Sequence, residues 1–272
     1  MLLCDRTAYQ WSGDDDPRRV AEQVIQVGVG RDASYVLTKA GVLLTWGDNL
    51  DETQEVLDQV IWFAAGRSGV FAARADGTFM YVARPKSSFG EGDLLQPEKV
   101  GVSIVTASIG DSADYFVTND GTLFVKGLAH RGQYGDGKLK PSDAFVPVAS
   151  AVVAIKAHTG HGILLRQDGT VMGTGGNIYG PLGRHGLGDK AVSWGPIFHE
   201  ADAIATGSSH SLAIRDGTLW HWGRDIGLDP VQVLEDVVAA AADQSSSLAL
   251  LKDGSLWQWE RGQQPKKHFQ CR

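Results

Sequence analysis

The chain has 272 residues with 25 Lys and Arg against 32 Asp and Glu, a formal net charge of −7, and it lacks the basic stripe expected of a nucleic-acid binder. Hydrophobic residues at 43% suffice for a sizeable core, no apolar run approaches the roughly 18 residues of a membrane span, and two cysteines are too few for a disulfide framework. The 34 glycines suit a chain built from tight turns, and a closed all-β architecture of this size can be one domain, here expected over 1–272.

The first stretch, MLLCDRTAYQW, meets Asp5 and Arg6 at once and has no signal-peptide core. A cytoplasmic location is therefore expected, with Cys4 and Cys271 as free thiols. Residues 1–23 read as the closing part of a unit whose full copies open at Val24, Val60, Ile104, Ala151, Ala201 and Val237. The clearest copy is AIATGSSHSLAIRDGTLWHWG, from Ala203 to Gly223. It reads as an apolar strand, a small polar turn, a second strand, an Asp216-Gly217 hairpin and a third strand. In that third strand Trp220 and Trp222 share one face while Leu219 and His221 share the other, so both faces must be covered. Sheets stacked as blades meet that demand.

Equivalent hairpins fall at Asp5-Arg6, Ala40-Gly41, Asp76-Gly77, Asp120-Gly121, Asp168-Gly169 and Asp253-Gly254. Seven third strands follow, and they predict a seven-bladed β-propeller. The tail QPKKHFQCR is expected to complete the first blade and close the ring. The alanine-rich run 233–242 is expected as connector and strand, not helix.

These phrases resemble the repeats of the regulator of chromosome condensation family: a V-x-x-V-x-x-G opening, H-S-L-A-L, D-G-x-L-W-x-W-G, then a glycine loop similar to N-x-x-G-Q-L-G-x-G. Arg131 to Gly137 and Asn177 to Gly188 are similar to that loop. Copies two to four depart from the pattern, with Tyr81-Val82-Ala83, Val125-Lys126-Gly127 and Gly173-Thr174-Gly175 where Trp-Gly would stand. The resemblance implies protein recognition by a propeller face. The jobs it implies are nucleotide exchange on small GTPases, chromatin docking and, among compact bacterial propellers of about this length, β-lactamase inhibition.

In a four-stranded antiparallel blade the first-to-second and third-to-fourth connections share one face, and here that face carries every irregular loop. Variable loops on a rigid scaffold are where recognition is expected. Two of them are acidic, with Asp14, Asp15, Asp16, Asp48, Asp51 and Glu52, and would steer a basic partner. The longest excursion, Thr174 to Pro196, offers Tyr179, His185 and Trp194 as binding anchors. It has no Gly-x-x-x-x-Gly-Lys-Ser/Thr and so no phosphate cradle.

His158 and His161 sit in one turn without the spacing of a metal motif, and His210 holds the H-S-L position of a structural residue. No spacing selects a nucleophile, base and orienting acid. The expected function is a non-enzymatic module, monomeric on its own, with no cofactor or metal, that binds one protein partner with a basic surface. An inhibitor or immunity protein fits that description. The alternatives are an exchange factor using the 174–196 loop as a wedge, a β-lactamase-type inhibitor, and a small-molecule-binding or enzymatic propeller.

Overall fold

The computed structural model describes residues 2–4, 6–10, 18–30, 33–46, 53–66, 69–83 and 97–270, and the side chains of Cys4 and Cys271 lie outside it. Every regular element among the described residues is a β-strand, and no helix is long and apolar enough to cross a membrane. Six four-stranded antiparallel sheets follow one another, each in simple meander order. We call them blades 1 to 6, covering residues 24–57, 60–100, 104–149, 152–198, 203–234 and 237–270. A three-stranded sheet precedes them, formed by Leu2–Cys4, Thr7–Gln10 and Arg18–Ala21.

The architecture is the expected all-β propeller type, but the seven closed blades predicted from the sequence are not there. Among the described residues four-stranded blades number six, and the tail pairs in the last sheet and not in the first. Its strand, Lys266–Gln270, pairs antiparallel with Ser255–Glu260 of its own repeat, with Leu256 opposite Phe269. A five-residue connection makes that neighbour far cheaper to reach than a distant sheet. The first copy, read as incomplete, shows three strands among the described residues, and the tail expected to supply its missing strand is instead the fourth strand of the last repeat.

The chain divides into two compact units, 1–104 and 105–271. The N-terminal sheet and blades 1 and 2 lie in the first unit, where Tyr35, Phe63 and Val70 form a core between blades. Blades 3 to 6 lie in the second, apart from Ile104 at the boundary, and their cores are again between neighbours. Tyr115 and Ile155 belong to the core of blades 3 and 4, Phe198 and Trp222 to that of blades 4 and 5, and Leu212 and Trp259 to that of blades 5 and 6. Blade 5 shows why both faces of its third strand are bulky. Trp222 stacks on Phe198 of blade 4, with centroids 5.7 Å apart, while His221 meets Trp259 of blade 6 at 6.1 Å. Each large side chain buried this way contributes about 1.5–3 kcal/mol.

The Asp-Gly hairpins use two geometries. At Asp76, Asp120, Asp168 and Asp253 the carboxylate accepts the backbone N–H two residues on, at 2.8 to 3.1 Å, and the following glycine takes the positive φ. Hydroxyl hydrogen bonds from Thr78, Thr118 and Ser255 to Asp76, Asp120 and Asp253, and the backbone bond from Thr170 to Asp168, chiefly hold these four carboxyls below the usual aspartate range. Asp216 itself has φ +50° before Gly217 at +74°, the tighter two-residue turn with both central residues left-handed.

Within each unit successive sheets are joined by backbone. At five copies the N–H of the opening residue donates to a carbonyl in the preceding hairpin: Val24 to Arg6, Val60 to Gly41, Val152 to Gly121, Ala201 to Gly169 and Val237 to Gly217, all at 2.8 to 3.0 Å. The residue just before each of these donors is left-handed without being glycine: Gln23, Gln59, Ala151, Glu200 and Asp236, with φ between 54° and 59°.

Candidate functional site

The third-to-fourth loop of blade 4 is shorter than its sequence suggests. The third strand runs Val171–Gly176 and the fourth Lys190–Phe198, leaving 177–189 as loop. Trp194 therefore lies in a strand. Partly buried against the core of blades 3 and 4, it donates its indole N–H to Tyr134 O at 3.1 Å.

The base of the loop is fixed at several points. Asn177 Nδ2 donates to Gly188 O, its Oδ1 accepts from Leu182 N, and its own N–H donates to Asp189 O at 2.6 Å. Leu182 is fully buried. Pro181 O accepts both Trp222 Nε1–H at 2.9 Å and Ser211 Oγ–H at 2.8 Å. Ser211 Oγ also lies 3.4 Å from Nε2 of the buried His161, whose pKa burial lowers from 6.5 to about 3. Gly180 lies against the Leu228 side chain, and its left-handed backbone, at φ +74°, is what favours glycine there.

Above this base the side chains point out. Ile178 is 57% and Tyr179 51% exposed. The Arg224 guanidinium, from the residue after the third strand of blade 5, lies over the Tyr179 ring at 4.3 Å, and His185 Nε2 meets Asp229 Oδ1 at 2.8 Å. Between the two loops is an open groove of about 790 Å³, lined by residues that include Asn177, Tyr179, Arg184, Asp189, Arg224 and Leu228. It combines the aromatic face of Tyr179, two guanidinium groups and the exposed apolar side chain of Ile178 on a fixed backbone, which suits it to recognising a surface segment.

Of the residues expected to bind, Tyr179 and His185 are brought together here and Trp194 is not. Asp14, Asp15, Asp16, Asp48, Asp51 and Glu52 lie outside the described residues. Ile178, Arg184, Arg224 and Asp229 were not singled out. The position of Arg224 directly after Trp222-Gly223 was the available signal, because it places the side chain at the rim of the next loop. His210 is buried and hydrogen-bonded to Ser247, as its H-S-L position implied. Among the described residues no three His, Cys, Asp or Glu side chains gather as metal ligands.

The fold is that of β-propellers built from repeats similar to those of the regulator of chromosome condensation. The structure of Prp20p from Saccharomyces cerevisiae, described with its binding to Gsp1p and histones, matches 93% of this chain and 80% of its own with a TM-score of 0.80 at 17% identity. In sequence, the chain is 33% identical over 129 residues to the secretion-regulating guanine nucleotide exchange factor of Bos taurus, and 30% identical over 166 residues to the regulator of chromosome condensation of Xenopus laevis. The matches cover 44% and 58% of this chain but only 27% and 38% of those relatives. No protein-family model matches the sequence.

Proposed function

We propose that this chain is a non-enzymatic recognition module that receives one partner protein in the groove between the outer loops of blades 4 and 5. The observation that carries this reading is the exposure of Ile178 and Tyr179 on a loop whose base is pinned by Leu182, Pro181 and Asn177. Anchors on a preorganised loop lose little entropy on binding, and Tyr and Arg are frequent hot-spot residues. In this reading the chain acts in the cytoplasm as an inhibitor or immunity protein. The acidic loops 14–16 and 48–52 attract a basic partner, and the groove supplies the anchors. The test is affinity capture with the wild-type chain and the double variant Ile178→Ser, Tyr179→Ser, followed by a binding titration with the purified partner. Equal affinity for both chains would remove the groove from the reading.

A second reading, exchange of guanine nucleotide on a small GTPase, is favoured by the stretch 33% identical to a secretion-regulating exchange factor. Release of labelled GDP from candidate GTPases distinguishes the two. Catalytic acceleration supports exchange, whereas stoichiometric binding without release supports inhibition.

A further inference from the structure

Among the buried nitrogen atoms of blades 5 and 6 without a hydrogen-bond partner, three lie on His210, His221 and Arg261. His210 is fully buried, with Nε2 3.0 Å from Ser247 Oγ and Nδ1 unpaired. His221 is 3% exposed, and Trp259 Nε1–H donates to its Nδ1 over 3.5 Å. An indole nitrogen can only donate, so Nδ1 is the acceptor and the proton of the neutral imidazole is on Nε2, which is also unpaired. The two imidazoles meet edge to face with centroids 5.0 Å apart.

The third group is Arg261, the residue after the third strand of blade 6. It reaches back to blade 5 and donates through Nη1 to Ser209 Oγ, while its buried Nε has no partner. Among the described residues no carboxylate forms an ion pair with it. A buried donor without an acceptor is costly, more so on a charged group, and native structures satisfy such groups with protein, water or a bound ion. Two unspent donors, a third ring nitrogen that donates in one of its two tautomers, and a guanidinium without an ion pair among the described residues call for an acceptor with a negative charge.

We propose that Arg261, His221 and His210 form a binding site for a small monovalent anion, a halide or a carboxylate of formate size, held by Arg261 Nε–H, His221 Nε2–H and His210 Nδ1–H. Ser247 then donates to His210 Nε2, which leaves the His210 proton on Nδ1 for the anion. Charge balances with both imidazoles neutral: one guanidinium, one anion. Burial pushes the imidazoles down, to about 3 for His210 and about 4 for His221, with the Arg261 charge adding in the same direction, so the neutral forms are those present near pH 7. The site also underlies the groove. Ser209, held by Arg261 through its hydroxyl, accepts Arg224 N–H at its carbonyl, 2.9 Å away. An anion that fixes Arg261 therefore steadies the turn on which Arg224 rests.

The test uses chloride as probe. The chloride NMR linewidth is compared for the wild-type chain, Arg261→Met and His221→Phe, with gluconate holding ionic strength constant. The site is supported by excess broadening in the wild type that formate and bromide displace, and that falls about tenfold or more in both variants. The better displacer tells carboxylate from halide. No excess broadening in the wild type, or equal broadening in all three chains, overturns the proposal and leaves at most an ordered water. Thermal unfolding of the wild type in chloride and in gluconate at equal ionic strength keeps the test independent of how the variants fold. A higher midpoint in chloride supports the site, and identical midpoints count against it.

Discussion

The outer loops of blades 3 and 4 share one plan and present different surfaces. Each follows a third strand, bends at three left-handed glycines, Gly132, Gly135 and Gly137 in one and Gly180, Gly183 and Gly186 in the other, and drives one side chain into the blade, Tyr134 or Leu182. In each, the carbonyl before that plug is held by a hydroxyl: Gln133 O by Tyr115 Oη–H at 2.9 Å, and Pro181 O by Ser211 Oγ–H at 2.8 Å. The divergence is in the two residues before the first glycine. Blade 3 has His130 and Arg131, the latter close over Gly160 and Gly176, whereas blade 4 projects Ile178 and Tyr179 into solvent. The plan is therefore architectural, and the outward pair is where one copy can acquire a job that another lacks.

The largest effect that would test this division is on the plugs. Tyr134→Ala removes a buried ring whose hydroxyl donates to Gly127 O and accepts from Ser142 N, and should cost about 3–5 kcal/mol; Leu182→Ala should cost about 2–5 kcal/mol. Urea unfolding measures both, and a loss confined to one blade would break the equivalence. The outward pairs should behave oppositely. Ile178→Ser with Tyr179→Ser should change stability by no more than about 0.5 kcal/mol while weakening the partner by about 2 kcal/mol, and His130→Ser with Arg131→Ser should leave affinity unchanged in the same titration.

Acid should separate the two loops further. The hydroxyl that holds Pro181 O contacts His161, whose folded pKa is lowered from 6.5 to about 3, so the fold favours the neutral imidazole. That stability is fully present above pH 6.5 and is lost progressively as the pH falls from there towards 3. The blade 3 loop is held by Tyr115, a phenol that burial pushes up and that stays protonated throughout this range. Amide exchange followed from pH 7 to pH 4 should therefore show 177–189 opening before 128–141. The smallest effect lies at the join between the two blades. Ala151 is left-handed at φ +57°, and Ala151→Gly should raise stability by up to about 1 kcal/mol, seen as a higher midpoint in urea.

Much of the fold was legible because it is written in residue types with a local cause. Asp-Gly marks hairpins, period-two apolar residues mark strands, and the paired tryptophans of blade 5 demand cover on both faces. The first copy was legible as incomplete, and the blade number failed at the tail expected to complete it, whose pairing is decided by proximity within its own repeat. The left-handed connectors were invisible for a different reason. Gln23, Gln59, Ala151, Glu200 and Asp236 share a backbone conformation and no side-chain chemistry. At the candidate site, Tyr179 and His185 stand out in the sequence as ring side chains in a long glycine loop, and the structure places both on that loop. Trp194 looked the same in sequence, but the bulged pairing of the third and fourth strands carries the ladder past it to Gly175 and Ala191.

The joints between copies have a consequence for how such a chain can change. Because the opening residue of five copies is fastened to the preceding hairpin through N–H and C=O groups, no side chain supplies the hydrogen bond at those joints. An outer loop can therefore be rewritten or lengthened without touching the bonds that attach its copy, so recognition and attachment reside in separate parts of the repeat.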